Sequence, residues 1–120
     1  MKIKNNTSKG FLEAAHGDGI DLRYPTSNTR RGRVQKGLSQ TLCADSEMGV
    51  CLRGGQMERI RKLTPRESWR LQGFSDEAFD KAQSVCSDTQ LYKQAGNSIT
   101  IDVLVAIFGK LFADMEKEQV

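Results

Sequence analysis

The sequence predicts an α+β fold: a small β-rich part to about residue 63, then two short helices and one long C-terminal helix. Three observations predict it. Short apolar bits separated by turn residues fill the first half. A strong helix-start signal stands at Thr64. A long apolar run with helical period occupies the last quarter.

In order, residues 1–28 read as mostly irregular, punctuated by Gly10, Gly17, Gly19, Pro25 and Asn28, with Ile20-Asp21-Leu22 strand-like. Residues 29–37 form a basic loop between breakers. Residues 38–63 alternate apolar bits (Leu38, Leu42, Val50-Cys51-Leu52, Ile60, Leu63) with turns, which predicts short strands around a turn at Arg53-Gly54-Gly55. Thr64 is a natural N-cap, Pro65 suits the first helical position, and Glu67 completes a capping box. Gly73 closes that helix as C′. Ser75-Asp76-Glu77 opens a second helix to about Gln83. Residues 87–97 read as loop. The apolar spacing from Ile99 to Met115 predicts a helix from about Ser98 to Glu116, whose β-branched start is compatible with an extended entry. The tail from Glu116 to Val120 is expected to fray.

Composition bounds the function classes. With 120 residues and 38% hydrophobic content, the chain suits one small domain or a piece of a larger one. A net charge of +3 does not by itself argue for nucleic acid, so its distribution has to. Cys43, Cys51 and Cys86 share no C-x-x-C spacing and lie far from the lone His16, so no metal site is expected. An odd cysteine count, no apolar leader and no apolar stretch of spanning length fit a cytoplasmic chain away from membranes.

Three segments carry the functional argument: Arg61-Lys62-Leu63-Thr64-Pro65-Arg66-Glu67-Ser68-Trp69-Arg70-Leu71-Gln72-Gly73-Phe74, then Leu91-Tyr92-Lys93-Gln94-Ala95-Gly96-Asn97-Ser98-Ile99, and upstream of both Ser39-Gln40-Thr41-Leu42. The first resembles motif IX of the DNA (cytosine-5) methyltransferases and the second resembles motif X. Thr41-Leu42 is similar to the pair at the end of that family's target recognition region. Order and spacing agree, and the match is specific from about Arg59 to Leu111. Upstream, Asp21-Leu22-Arg23-Tyr24-Pro25 and Thr29 to Val34 look like the compact recognition region of prophage-type members. Ser75 stands where proline is usual and Ile99 where valine is usual.

The resemblance implies a C-terminal fragment of an α/β methyltransferase fold. Residues 1–63 would be the end of the recognition region, and residues 64–120 the helical segment that completes the catalytic domain. It implies that Gly96, Asn97 and Ser98 contribute to an S-adenosylmethionine pocket, with the start of a helix offering N–H groups to the cofactor's carboxylate. The plainer alternative is that Asn97-Ser98 only caps a helix.

Arg66 and Arg70, four apart on one face, are either DNA contacts or a solvated helix face. Arg30, Arg31, Arg33 and Lys36 lie within seven residues without an acid among them. Such a loop suits phosphate contacts on double-stranded DNA, with Thr41 beside it; a solvated charge run is the alternative.

What the chain lacks bears on mechanism. Methylation at cytosine carbon 5 needs a thiolate that adds to carbon 6 and a flipped target base. The resemblance places that thiol in a Pro-Cys dipeptide. Here Pro25 and Pro65 are followed by Thr26 and Arg66, and neither Phe-x-Gly-x-Gly nor Glu-Asn-Val occurs. No residue is therefore assigned as catalytic. Three accounts stay open: a piece of a full enzyme, the small subunit of a split methyltransferase completed by a catalytic portion, or a free-standing DNA-binding module or inactive prophage remnant.

Overall fold

The computed structural model describes residues 1–45 and 47–119. Its first half is built from six short strands: β1 (Lys2–Lys4), β2 (Phe11–Glu13), β3 (Gly19–Asp21), β4 (Val34–Gln35), β5 (Met48–Gly54) and β6 (Met57–Lys62). β1 and β2 pair as a separate antiparallel ribbon, and the others form an antiparallel sheet in the order β4-β3-β5-β6. β5 and β6 are the longest pair, in register from Gly49↔Lys62 to Gly54↔Met57. Their two-residue connection begins with Gly55 at φ 65°, a left-handed position that glycine adopts without steric cost.

Ala14, Ile20 and Cys51 form the centre of the sheet's core, with Ile3, Leu22, Val34 and Ile60 against it. Residues 1–28, expected to be mostly irregular, hold β1, β2 and β3. The first two were invisible because three-residue strands show no period; their pairing to each other orders them.

The second half is helical: α1 (Pro65–Leu71), α2 (Asp76–Gln83), α3 (Asp88–Asn97) and α4 (Ile101–Glu118). Thr64 caps α1 by accepting from the Glu67 N–H, and Gly73 follows its last turn at φ 88°. Ser75 caps α2 in the same way. Two short helices were expected before the long one, and there are three. The segment 87–97 is no loop, because Ser87 and Gln90 form a reciprocal capping box that opens α3. Gly96 and Asn97 mark its last turn instead of breaking it.

α4 begins at Ile101, three residues later than expected. Ser98 and Thr100 are extended, at ψ 157° and 119°. The β-branched pair Ile99-Thr100 thus forms an elbow between α3 and α4.

α1, α2 and α3 close around Trp69, Phe79, Leu91 and Ala95. Phe79 meets the Trp69 ring edge-on at a centroid distance of 5.5 Å, and Phe74 lies 4.9 Å away. α4 leaves this core and stretches the molecule to 59 × 38 × 29 Å. None of its residues is buried. Among the described residues no helix is long and apolar enough to cross a membrane.

Candidate functional site

The two motif-bearing helical segments of the sequence are joined by side-chain to backbone bonds. Trp69 Nε1 donates to the Leu91 carbonyl at 2.9 Å, inside the core. Tyr92 Oη donates to the Leu63 carbonyl at 2.6 Å, and burial raises its pKa. Gln72 is 8% exposed, and its Nε2 donates to the Ala95 and Ser98 carbonyls at 2.8 and 3.3 Å. Gln72 Oε1 accepts from Thr100 Oγ1 at 2.8 Å, and its own carbonyl accepts from the Ile101 N–H at 2.9 Å. One buried amide therefore sets the α3–α4 elbow, and with it the direction in which α4 leaves.

A cleft of about 380 Å³ lies beside this elbow. The stretch Ser39-Gln40-Thr41-Leu42 forms one wall, Leu71 and Gln72 the floor, and Gly96, Ser98 and Thr100 the other wall. The upstream Thr-Leu pair and the last turn of α3, more than fifty residues apart in sequence, thus face each other. The approach is closest at Gly96, where a Cβ would stand 2.1 Å from the Cys43 carbonyl carbon and 2.4 Å from the Ala44 nitrogen. Glycine is required there by a backbone crossing, not by an unusual φ, since Gly96 is helical.

The structure shows a close backbone approach at Gly96, and the neighbour is the chain itself. It corrects the expected helix N-terminus at Gly96-Asn97-Ser98. α3 ends there, so carbonyl ends are presented, and these favour a cationic group over a carboxylate. At the start of α4, the Thr100 hydroxyl caps nothing because it is bound to Gln72. Asn97 is exposed at the end of α3, and Ser98 Oγ donates to the Ile99 carbonyl at 3.0 Å.

The basic loop divides on inspection. Arg33 is 2% exposed and donates to the Tyr24 carbonyl; its Nε carries no hydrogen bond among the described residues. A side chain so enclosed is a structural pin and cannot reach a phosphate. Arg30 donates to Asp21 at 2.8 Å, and Lys36 to Asp18 at 2.9 Å and to the Glu13 carbonyl at 2.6 Å. Arg31 is exposed and forms no ion pair among the described residues. Thr41 is exposed on the cleft wall.

The carboxylates that hold these cations are strongly shifted. Burial pushes Asp21 up, but hydrogen bonds from the Arg23 side chain and backbone and from Arg30 outweigh it, and its pKa falls to about 2. Asp18 also falls to about 2, chiefly through the Ala15 N–H, then Lys36 and the Gly37 N–H.

Arg66 and Arg70 share a face as expected, but that face is turned to α2. Arg70 holds Asp76 with two bonds of 2.7 and 2.8 Å. Arg66 binds Asp80 at 2.6 Å and covers the Phe79 ring at 4.7 Å. Exposed pairs of this kind contribute about 0–1 kcal/mol each, and they engage the guanidinium groups within the chain. Glu67, whose N–H is capped by Thr64, is held through its carboxylate by Arg61 at 2.9 and 3.2 Å. Gln72 and Tyr92 were part of the quoted segments, yet nothing in their spacing announced which carbonyls they would bind.

α4 shows a contiguous unpartnered apolar surface. Val103, Val105, Ile107, Phe108, Leu111, Phe112 and Met115 are each about half exposed or more, and Ile99 at the elbow is 61% exposed. Each forgoes roughly 1 kcal/mol of burial, and a lone helix of this length is marginal in water. Patches of this kind mark a surface that another protein element covers.

Comparison with known proteins agrees with the motifs. The family model described as C-5 cytosine-specific DNA methylase matches residues 2–113. The orphan methyltransferase M.Rho11sI of Bacillus phage rho11s is 46% identical over 93 residues, covering 77% of this chain and 18% of its own length. The orphan methyltransferase M.SPBetaI of Bacillus phage SPbeta is 55% identical over 85 residues, 70% of this chain and 19% of its own. The type II methyltransferase M.SsoII of Shigella sonnei is 45% identical over 111 residues, 88% of this chain and 26% of its own. The chain thus spans about a fifth to a quarter of the length of these curated relatives. No solved structure gives a significant match.

Proposed function

The chain belongs to the C-5 cytosine-specific DNA methylases, and from that premise we propose that it supplies the end of the target recognition region and motifs IX and X of an S-adenosylmethionine-dependent DNA (cytosine-5) methyltransferase. The observation that carries this reading is the contrast between the closed core of α1–α3 and the uncovered α4. Motif IX and motif X lock together through Trp69, Gln72 and Tyr92, and the elbow they form projects α4 outward as a docking element. Its partner is the catalytic portion of the same enzyme, in one chain with it or as a separate subunit. About three-quarters to four-fifths of these relatives' length lies outside the match, which leaves room for that portion.

The division of labour follows. The catalytic portion brings the thiolate and flips the cytosine, since these 120 residues hold no Pro-Cys. The sheet part lies on double-stranded DNA, with Arg31 on a phosphate and Thr41 where the cleft opens. Arg30, Arg33 and Lys36 hold the loop in shape from behind. Arg66 and Arg70 brace α1 on α2, so the DNA role first read into them passes to Arg31 and Thr41.

The cofactor fit is partial. Ser98 lines a polar cleft and Asn97 offers an exposed carboxamide beside it, whereas Gly96 serves by letting Cys43-Ala44 pass. S-adenosylmethionine, when bound, supplies the methyl group. The contribution of Asn97 and Ser98 is to hydrogen-bond its polar end and close one side of the pocket. A free-standing DNA-binding module is the second reading. It leaves the half-exposed apolar side chains of α4 without a purpose.

The test mixes this chain with a separately produced protein carrying the cofactor and Pro-Cys motifs, and measures transfer of labelled methyl to DNA. We expect transfer only with both chains. Asn97→Ala should lower it about tenfold, as expected for a lost hydrogen bond to a charged ligand. Transfer by this chain alone, or an inactive mixture in which this chain still binds DNA, would remove the proposal.

A further inference from the structure

Among the described residues Tyr24 is the one non-glycine residue with a positive φ, at 47°. For a bulky side chain this is a genuine outlier, and such strain persists only where the surroundings over-determine it. The surroundings here do so. The Tyr24 carbonyl accepts from the buried Arg33 guanidinium and from the Ser27 N–H at 3.0 Å. Arg30, itself held by Asp21, lies 5.5 Å from the ring centroid.

All this fixes the backbone, yet the ring is 70% exposed. Inside the chain the ring has the Arg30 guanidinium over it, a weak contact at an exposed site, and the position is one that asparagine or glycine adopts at lower cost. Beside the ring is a hollow of about 320 Å³ walled by Leu22, Arg23, Pro25, Asp45 and Glu47. Of the two carboxylates on its wall, Glu47 is held by Lys62 at 3.0 Å and Asp45 accepts from the Glu47 N–H at 3.3 Å; the second oxygen of each can accept from an exocyclic amino group of a base.

We propose that Tyr24 is a base-contacting residue of the recognition part, its ring laid against a nucleobase of the duplex whose amino edge faces Asp45 and Glu47. The inference rests on the reading that the sheet part binds DNA, and it adds a specificity-determining contact to it. In this arrangement Arg31 supplies charge and Tyr24 supplies discrimination. The strained turn is a mount that holds the ring out from the surface, so that little ordering is left to be done on binding.

The test uses the full 120-residue chain with duplex DNA from the genome that encodes it, titrated at several salt concentrations, and compares Tyr24→Asn, Tyr24→Phe and Arg31→Ala. Asparagine accepts the left-handed conformation, so Tm should be unchanged or raised by a few degrees while duplex affinity falls about tenfold, the size of one contact to a base edge in a groove. Tyr24→Phe should keep most of the affinity. The salt slope should be unchanged in both and reduced by about one in Arg31→Ala.

Wild-type affinity in Tyr24→Asn, with weakening in Arg31→Ala, overturns the inference and leaves the DNA reading standing. A clear fall in Tm for Tyr24→Asn also overturns it, because the ring would then be a packing group. Absence of duplex binding by the wild-type chain overturns both.

Discussion

α3 and α4 follow each other through a three-residue elbow and have opposite fates. α3 is ten residues of mostly polar sequence, yet Leu91 is fully buried and Ala95 nearly so. α4 is eighteen residues, far more apolar, and buries nothing. Hydrophobicity alone would assign the core to α4. The difference teaches that burial follows the presence of a complementary surface. α1 and α2 give α3 such a surface, through the Trp69 and Gln72 bonds and the Phe79 ring. No such surface covers α4 among the described residues.

The contrast breaks most visibly if α4 is made polar. Phe108→Asp with Leu111→Asp should abolish methyl transfer in the mixed assay, a loss of about a hundredfold or more given roughly 1.5–3 kcal/mol per buried side chain. The Tm of the chain alone should stay within a degree or two. A large fall in Tm would mean that α4 folds back on its own chain.

The converse change lies in α3's surroundings. Trp69→Ala removes the centre of the helical core and one buried hydrogen bond, and should cost about 3–5 kcal/mol in denaturant unfolding. Gly96→Ala comes next. Its methyl group would overlap the Cys43 carbonyl, and overpacking of this kind costs about 1–3 kcal/mol. If the melting curve is unchanged, the 41–44 stretch does not lie against α3.

Acid should separate the sheet from the helical core with a similar or smaller effect. Protonation breaks the pairs that depress Asp21, so their stabilisation is complete above the ordinary pKa of 3.8 and is lost as pH falls to about 2. Asp18 titrates in the same window. The α1–α2 ion pairs are exposed and matter less. The sheet should therefore lose stability across this range, while Trp69 fluorescence stays that of a buried ring. Asp21→Asn should flatten the dependence, and simultaneous loss of both signals would show that the two parts unfold as one.

Much of the helical half was legible because its signals are local. Thr64-Pro65, Ser75 and Gly73 each act within one turn, and the structure uses each as the residues predict. The Ser87-Gln90 box was equally local but was overridden by the glycine and asparagine at the far end of the same helix. In the sheet half, the turn expected at Arg53-Gly54-Gly55 lies later, at residues 55–56, because Arg53 and Gly54 pair with Glu58 and Met57 and lengthen β5, whereas β1, β2 and β4 are too short to carry a period. The candidate site was legible as residue types and not as partners. Arg30, Arg33, Lys36, Arg66 and Arg70 looked free in sequence because their acids lie six to eighteen residues away, or because the acceptor is a carbonyl.

The sequence by itself determined the family, through the order of two polar-rich motifs, and the starts of α1 and α2, because capping chemistry is complete within four residues. It also determined that the last segment is an apolar helix. Only the tertiary structure decided that Gly96 is set against the Cys43 backbone, that a buried Gln72 aims α4, that Arg31 is the exposed cation of the basic loop without an ion pair among the described residues, and that Tyr24 is held out on a strained turn. Each of these depends on contacts between residues far apart in sequence or on the direction of a side chain, and neither is encoded in any single stretch of residues.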